Sequence, residues 1–366
     1  MKIIHMADVH LDSRMETHLD KAKAKERKSE LLHTFTKVLD YAKEEGADSI
    51  LIAGDLFDVS APSMSARKLV RELIENAGEI DFYVLRGNHD GKSFLNEVEE
   101  LENVHLFNEE WTTYFLGDEK KIALYGRELN ADNAASSSIG LIADPEKYNI
   151  VMLHGQEVAS QTRQKAEVIP ITSYRNKSID YMALGHIHAY KYEALDGRGF
   201  YCYPGCLEGR GFDECGEHGF VVLEIDEQTL EARHQFVPFA RRQLREVQVD
   251  VTGIDKMSEI AEAIEKKLAE EGALAEMLIK VVLVGKVDTQ SHRDIEYLEK
   301  RFEGDFYFFK VKDETVYQVI PEDYLKDASL KGEFVRLVLA DEEMTEEMKG
   351  AVVNMGLMAL SGEELD

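Results

Sequence analysis

Metal-binding residue types recur at the ends of five short apolar runs in this chain. The runs with their polar tails read KIIHMADVH, SILIAGDLFD, FYVLRGNHD, IVMLHG and YMALGHIH. Residues 50–53 and 181–184 are too few for an ordinary helix and are apolar, as expected of strands buried on both faces. In open α/β sheets the functional site lies beyond the carboxyl ends of the strands. The pattern therefore predicts that five strands deliver their polar tails to one edge, where they form a metal site.

The predicted ligand set suits two ions better than one. Side chains at positions i and i+2 of an extended chain lie on the same side, so His186 and His188 reach the same edge, where two neighbouring metals can use both. With Asp55 as a bridging carboxylate, the set divides into Asp8, His10, Asp55 and His188 on one ion, and Asp55, Asn88, His154 and His186 on the other. Nitrogen and oxygen ligands without thiolate favour manganese, iron or zinc over copper or an iron–sulfur cluster. We take manganese as the first choice, with iron and zinc as alternatives.

The order of these motifs resembles a known family. The series Asp-x-His, Gly-Asp-x-x-Asp, Gly-Asn-His-Asp, His-Gly and Gly-His-x-His is similar to that of the calcineurin-like metallophosphoesterase superfamily, over residues 1 to about 240. Within it, residues 7–13 and 53–58 resemble the bacterial DNA-repair exonucleases, the branch of SbcD, the nuclease component of SbcCD, and of YhaO-like proteins. The resemblance implies an α/β fold: a two-sheet sandwich flanked by helices, with a small α+β capping domain and a C-terminal helical tail.

The resemblance also implies catalytic roles. Two ions roughly 3.5–4 Å apart clamp a phosphodiester and lower the pKa of water for attack. In the family, the histidine at the position of His89 is not a ligand; it contacts phosphate and helps the leaving oxygen take a proton, which suits an imidazole. Asp90 is expected to orient His89, as a carboxylate partner commonly does. Asp58 stands where archaeal and eukaryotic double-strand-break nucleases carry a second histidine, which favours the bacterial branch.

Two basic residues are candidate substrate contacts. Arg210 lies in a segment, residues 208–214, that resembles the loop after the last ligand in this family. An ion pair with Asp213 or Glu214 explains Arg210 equally well. Lys92 follows the Gly-Asn-His-Asp motif and is predicted to approach DNA phosphate; a Walker A loop is excluded because position 86 is arginine rather than glycine.

Length, composition and net charge limit the classes of protein to which this chain can belong. The chain has 366 residues and is 44% apolar, enough for two domains with real cores. Its formal net charge of −28 is the main evidence against a DNA substrate, because phosphate neutralisation supplies most non-specific affinity. Two divalent cations would reverse that sign locally.

The apolar runs are too short to span a membrane and the start lacks a signal-peptide pattern, so we expect a soluble, cytoplasmic protein without a membrane partner. Three cysteines without zinc-ribbon spacing are expected to be free thiols.

Three segments are predicted along the chain: a nuclease domain over residues 1–240, an α+β capping and DNA-contact domain over 241–328, and a tail over 329–366. Apolar stripes predict helices over 30–45 and 65–76. Four strands after the last ligand are predicted to form an antiparallel second sheet, at residues 190–195, 200–203, 219–225 and 232–237. Beyond residue 240 strands and helices alternate.

The tail and one helix suggest protein partners. Met348, Val352, Met355 and Met358 recur at helical spacing. This stripe either packs on its own domain or, as the resemblance implies, docks on the coiled coil of an SbcC-like ATPase. Relatives dimerise through helices near the active site. Residues 69–74 therefore either form the contact of a homodimer or pack on the sheet of their own chain.

The combined prediction is a manganese-dependent DNA phosphodiesterase, an exonuclease with some endonuclease activity in a double-strand-break repair complex. The alternatives are a phosphoesterase for a small phosphodiester or nucleotide, which the acidic charge suits, and a weakly active scaffold that binds DNA ends.

Overall fold

The computed structural model describes residues 1–15, 19–91, 97–159, 167–288, 293–318 and 327–361. Lys92 lies outside these ranges. The chain divides into two compact units, Met1–Gln243 and Leu244–Asp366. Among the described residues, no helix combines the length and the apolar character needed to cross a membrane.

The first unit is built on two six-stranded sheets. The first sheet, in the order β14-β13-β1-β2-β3-β4, comprises β1 (Lys2–Met6), β2 (Ser49–Ala53), β3 (Asp81–Leu85), β4 (Val104–Leu106), β13 (Gly219–Ile225) and β14 (Ala232–Pro238). The second, in the order β11-β12-β10-β7-β6-β5, comprises β5 (Thr112–Leu116), β6 (Ile122–Gly126), β7 (Tyr148–His154), β10 (Tyr181–Gly185), β11 (Lys191–Ala194) and β12 (Phe200–Tyr203). A separate short pair joins β8 (Gln156–Val158) to β9 (Val168–Pro170). The strands that precede the predicted ligands all run parallel within their sheets.

Alternation along the strands of the first sheet supplies two cores. Ile50 and Ile52 of β2 face one core, while Leu51 and Ala53 face the other. The second of these cores also takes residues from the other sheet, such as Met152 of β7, so it lies between the two sheets. Because the side-chain period of a strand is two, a strand covered on both faces needs apolar residues at every position. This requirement explains the unbroken apolar runs in the sequence.

Two long helices cover the outer face of the first sheet. Helix α1 (Lys21–Glu44) begins at Asp20, whose carboxylate accepts hydrogen bonds from two backbone N–H groups of the first turn. Helix α2 (Met64–Glu75) begins at Ser63, which caps it in the same way. The apolar stripe predicts the first helix only over 30–45, since its first two turns are mostly polar and show no such stripe. The cap and the buried Arg27 extend it toward the N-terminus.

The predicted second sheet requires a correction. The strands at 190–195 and 200–203 do belong to it, as the antiparallel pair β11 and β12. Strands β13 and β14 instead join the first sheet, where β13 pairs antiparallel with β1 and places His5 opposite Val221. Strand β13 is buried along almost its whole length. It therefore needs a neighbour on each side and cover on both faces, which the position beside β1 provides.

The second unit alternates strands and helices. It contains β15 (Leu244–Asp250), α3 (Met257–Glu270), β16 (Leu278–Val284), β17 (Lys286–Asp288), α4 (Ile295–Arg301), β18 (Phe308–Asp313), β19 (Val316–Gln318), α5 (Leu330–Leu339) and α6 (Glu346–Ser361). Strands β15, β16 and β18 form a parallel sheet, as successive βαβ units do. Most of the aromatic residues at 302–309 pack in or against the core of this unit. Helices α5 and α6 share a small core of their own.

Candidate metal centre

The predicted ligands follow the carboxyl ends of strands from both sheets. They lie after β1, β2 and β3 of the first sheet, at the end of β7, and directly after β10 of the second, as Asp8, His10, Asp55, Asn88, His154, His186 and His188. Asp8, His10, Asp55 and His154 are almost completely buried. The two sheets therefore meet at an edge lined with polar side chains.

Side chains of the predicted ligand set converge around His188 and around His154. In one group, Nε2 of His10 lies 3.2 Å from Nε2 of His188, which lies 3.9 Å from Oδ1 of Asp8. In the other, Nε2 of His154 lies 3.0 Å from Oδ1 of Asn88 and 3.4 Å from Oδ2 of Asp55.

The same Asp55 oxygen lies 4.0 Å from Nε2 of His10, so Asp55 stands between the groups. The backbone N–H of His186 donates to the Asp8 carboxylate, and the His186 ring packs edge-on against His154. The division of these residues between two ions stays a prediction, since the carboxylate of Asp8 lies within 4.8 Å of ligand atoms of Asp55 and His154 as well as of His10 and His188.

Oxygen atoms lie beside Nδ1 of His154, His188 and His10; the contacts of His154 and His188 are hydrogen bonds, and that of His10 is a close approach without hydrogen-bond geometry. Nδ1 of His154 donates to the carbonyl of Ala53 at 2.9 Å, and Nδ1 of His188 lies 2.7 Å from Oε1 of Glu214. Nδ1 of His10 lies 3.0 Å from Oδ1 of Asp58. A carbonyl or carboxylate beside Nδ1 places the proton there and leaves the Nε2 lone pair for a metal. The donor set thus fits divalent ions that accept mixed nitrogen and oxygen ligands.

The backbone around the site takes conformations that non-glycine residues rarely adopt. The φ angles of Asp8, His10, Asp55 and His186 are 50°, 50°, 52° and 102°. Such strain is stored where the surrounding structure over-determines it, which is common at functional sites. Gly54 allows a close approach here: a Cβ at this position would lie 2.2 Å from Nδ1 of His154.

Burial and mutual charge shape the protonation of these groups. Burial raises the pKa of Asp8. Burial acts in the same direction on Asp55, but the hydrogen bond and charge of His154 outweigh it and lower the pKa of Asp55. Conversely, although burial opposes it, Asp55 raises the pKa of His154 to about 9. Two buried carboxylates side by side are costly unless cations compensate them, and bound divalent ions would supply that charge.

Asp90 contacts backbone rather than His89. Its carboxylate accepts hydrogen bonds from the N–H groups of Leu56, Phe57 and Gly87, at 3.2, 2.9 and 3.1 Å. These bonds tie the loop after β2 to the loop after β3. Burial raises the pKa of Asp90 to about 6. The expected orientation of His89 by Asp90 is therefore corrected, since the carboxylate is occupied by the two ligand loops.

His89 is instead held by other groups. Its Nδ1 lies 3.0 Å from the carbonyl oxygen of Asp58, and its backbone N–H donates to Oδ1 of Asp55 at 2.9 Å. The side chain is 43% exposed, whereas the predicted ligand histidines His10 and His154 are buried. His89 is thus a solvent-facing imidazole beside the predicted ligands, and its contact with phosphate stays a prediction.

Arg210 is engaged by two carboxylates. Its Nη1 lies 2.7 Å from Oδ1 of Asp58, and its Nη2 lies 2.9 Å from Oε1 of Glu214. Of the two ion pairs that the sequence allows, the one with Glu214 is present; Asp213 is exposed. The phosphate role of Arg210 stays a prediction.

Sequence reasoning did not identify Asp58 and Glu214 as the partners of ligand histidines. Both lie in segments that carry the motifs, but no spacing rule connects them to His10 or His188.

Comparison with known proteins places the chain in a family. Residues 1–190 match the calcineurin-like phosphoesterase family. The chain is 28% identical to the "Uncharacterized metallophosphoesterase YhaO" of Bacillus subtilis over 301 residues, 78% of this chain and 72% of the relative. It is 29% identical to SbcD, a component of nuclease SbcCD, of Staphylococcus epidermidis over 289 residues, 68% and 72% of the two chains. It is 31% identical to "DNA double-strand break repair protein Mre11" of Sulfurisphaera tokodaii, covering 54% of this chain and about half, 51%, of that protein.

The chain belongs to the calcineurin-like phosphoesterase family, because the family match covers more than half of its residues. This result confirms the resemblance drawn from the five ordered motifs. Members of the family use a dinuclear metal site, and the clustered histidines and aspartates of this chain are suited to one. The protein is therefore a metal-dependent phosphoesterase.

Proposed function

We propose that this phosphoesterase is a manganese-dependent DNA nuclease, an exonuclease with some endonuclease activity, and the nuclease component of a double-strand-break repair complex. One observation carries the proposal. The similarity to SbcD of nuclease SbcCD covers 68% of this chain, which is more than the 190 residues that match the broader family. A likeness restricted to the metal motifs would support any phosphoesterase; a likeness that continues past them supports this branch.

The proposed chemistry assigns a separate task to each group of residues. Bound divalent ions would neutralise the phosphate and lower the pKa of an attacking water. Asp8, His10, Asp55, Asn88, His154, His186 and His188 would hold those ions. His89 would contact the scissile phosphate and protonate the leaving oxygen.

The geometry of His89 supports its proposed task. The carbonyl of Asp58 can only accept a hydrogen bond, so Nδ1 of His89 carries a hydrogen and Nε2 is the nitrogen that exchanges protons. An imidazole suits this exchange because its ordinary pKa lies close to neutral pH. In our proposal Asp90 is a positioning residue that joins the ligand loops after β2 and β3.

The first experiment tests cleavage of DNA. Purified chain is incubated with Mn²⁺ and end-labelled linear duplex DNA, and the release of labelled nucleotides is followed. His89→Gln removes the proton-exchanging nitrogen and should abolish release while the bound manganese stays unchanged. His105→Gln is the matched control, because His105 is a partly exposed histidine that pairs with Asp81, away from the ligand loops.

The outcomes separate the candidate functions. Release by the wild type and by His105→Gln, but not by His89→Gln, supports the nuclease. Cleavage of a small aryl phosphodiester without any cleavage of DNA favours a small phosphodiester as substrate, which the net charge of −28 also suits. Activity that persists in His89→Gln removes His89 from the mechanism.

The choice of manganese has its own test. Metal-free protein is reconstituted with Mn²⁺, Fe²⁺ or Zn²⁺, and the rate of phosphodiester cleavage is compared at equal occupancy. We expect the highest rate with Mn²⁺, since the carboxylate and carboxamide oxygens of Asp8, Asp55 and Asn88 suit it. A higher rate with Zn²⁺ at equal occupancy would contradict the choice.

We also propose that the helices α5 and α6 bind a coiled-coil ATPase partner. Val335, Val338, Val353 and Leu357 pack the two helices against each other. On the outside, Leu337, Met348 and Met355 are 65%, 52% and 57% exposed. The side chain of Met358 lies outside the described part of the structure. Exposed apolar side chains on two helices that pack against each other suit docking of a further helix.

The partner proposal is tested with the double variant Met348→Glu/Met355→Glu. We expect it to abolish co-purification with the SbcC-like ATPase from the same organism. Cleavage of the aryl phosphodiester by the isolated chain should remain unchanged. Co-purification that survives both charges would refute this surface.

A further inference from the structure

Two carboxylates outside the ligand set face the two histidines of one metal group. Asp58 lies 3.0 Å from Nδ1 of His10, and Glu214 lies 2.7 Å from Nδ1 of His188. The Nε2 atoms of the same two histidines are 3.2 Å apart. A carboxylate therefore lies beside Nδ1 of each imidazole, as a hydrogen-bond partner for His188 and as a close neighbour for His10, while Nε2 faces the proposed ion position.

Arg210 joins these two carboxylates. One guanidinium nitrogen lies 2.7 Å from Asp58, the other lies 2.9 Å from Glu214, and the backbone N–H of Arg210 donates to the second oxygen of Glu214 at 2.8 Å. The side chains of Glu214, Arg210 and Asp58 are 7%, 19% and 20% exposed, so solvent screens these charges only in part. A planar guanidinium holds two carboxylates at a defined separation, which a lysine ammonium does not.

We propose that Asp58, Arg210 and Glu214 form a positioning bridge that orients His10 and His188 together and thereby sets the affinity of the ion that these two histidines hold. The inference rests on the two-ion site but does not depend on DNA being the substrate. In this assignment Arg210 acts through the ligands rather than on the phosphate.

The charges of the bridge fit this role. A carboxylate beside Nδ1 makes the imidazole a stronger ligand and selects the tautomer with a free Nε2. Two carboxylates so close to each other would repel and drift apart without a cation between them. Arg210 supplies that cation and leaves the bridge with a net charge of minus one. The loops that follow β2 and β12 are thus coupled at the metal centre, although Arg210 and Asp58 are separated by 152 residues.

A phosphate contact is the competing role for Arg210. The residue borders an open cavity of about 520 Å³ that is also lined by residues 13–15 and by Asp58. A substrate contact predicts a change in KM without a change in metal binding. The positioning bridge instead predicts a loss of metal affinity, which can be measured before any substrate is added.

The experiment is a titration of metal-free protein with Mn²⁺, in which free Mn²⁺ is followed by electron paramagnetic resonance. The variants are Asp58→Asn, Glu214→Gln and Arg210→Met. The control is Asp213→Asn, which removes a neighbouring exposed carboxylate that no imidazole contacts among the described residues. Wild type and control should bind two ions. Each bridge variant should weaken one of the two binding steps about 10- to 100-fold, the usual effect of losing an outer-shell partner.

Two further readouts separate positioning from general stability. The absorption spectrum of the Co²⁺-loaded protein should change in the bridge variants, because one ion loses its ligand geometry. The thermal midpoint of the metal-free protein should stay near that of the wild type in Asp58→Asn and Glu214→Gln, which remove one charge of a pair and keep the side-chain shape. Cleavage of the aryl phosphodiester should be restored by raising the Mn²⁺ concentration. Arg210→Lys should still bind Mn²⁺ more weakly than the wild type although it keeps the positive charge, because an ammonium does not hold two carboxylates at a defined separation.

The proposal is overturned if Asp58→Asn and Glu214→Gln bind both ions with wild-type affinity. It is equally overturned if Arg210→Met leaves metal binding intact and raises only the KM. A variant that also unfolds at lower temperature without metal points to a structural role instead. Since the titration contains no nucleic acid, failure of the nuclease proposal would not affect its outcome.

Discussion

Replacement of Arg27 by methionine should destabilise the first unit severely. The side chain of Arg27 is 2% exposed, with Nη1 2.8 Å from Glu30 and Nη2 3.0 Å from Glu208. Nη2 also donates to the carbonyl of Gly209 at 2.9 Å. Methionine preserves much of the volume of the side chain but removes the charge and all of these donors.

The magnitude follows from what remains after the substitution. Glu30 keeps two other arginines, Arg241 and Arg242, at 2.9 and 2.8 Å. The side chain of Glu208 is fully buried and would retain only hydrogen bonds from Thr34 and from the backbone of Arg241. Removing one partner from a buried ion pair costs roughly 3–5 kcal/mol, because the other charge stays buried without compensation. We expect a loss of that size in the free energy of unfolding.

The assay is urea unfolding followed by tryptophan fluorescence. Trp111 is the single tryptophan of the chain and lies in the first unit, so its emission reports the unit that contains Arg27. Lys25→Met is the control, since Lys25 is exposed on the same helix and should cost no more than about 0.5 kcal/mol. The double variant Arg27→Met/Glu208→Gln should recover part of the loss, because it removes the stranded charge. A cost for Arg27→Met no larger than for Lys25→Met would refute the reasoning.

Further predictions concern pH, backbone space and thiol access. Burial lowers the pKa of His5 from 6.5 to about 3; the unfolded chain therefore binds the proton first, and stability falls with pH below 6.5. At pH 5 protonation of His5 in the unfolded chain should lower the free energy of unfolding by about 2 kcal/mol relative to neutral pH. Urea unfolding of His5→Gln should not show this decrease. Gly54→Ala should lower the manganese content measured by mass spectrometry, because its Cβ meets His154, whereas Gly46→Ala, with open space around it, should not. Among the three thiols only the exposed Cys215 should react rapidly with Ellman's reagent, since burial raises the pKa of Cys202 to about 12 and that of Cys206 also; rapid reaction of all three before unfolding would contradict the structure.

Much of the fold was predictable because local rules govern it. Alternating side chains and apolar runs identify strands such as β2 and β10, and polar residues at their ends predict the edge where a site forms. The assignment of β13 and β14 to the wrong sheet shows the limit of such rules. A hairpin pattern predicts that two strands pair with each other, but it does not predict which third strand lies beside them.

The same distinction between local rules and tertiary packing applies to the candidate site. The sequence by itself determined the family, and it predicted the identity and order of the ligand residues and their nitrogen and oxygen chemistry, since these depend on residue type and on strand ends. Only the tertiary structure decided what each side chain contacts: Asp90 binds the backbone of two ligand loops, Asp58 and Glu214 face His10 and His188, and Arg210 joins the two carboxylates. These contacts link loops far apart in the chain. Their geometry follows from how two sheets pack against each other, and no local spacing of residues encodes that packing.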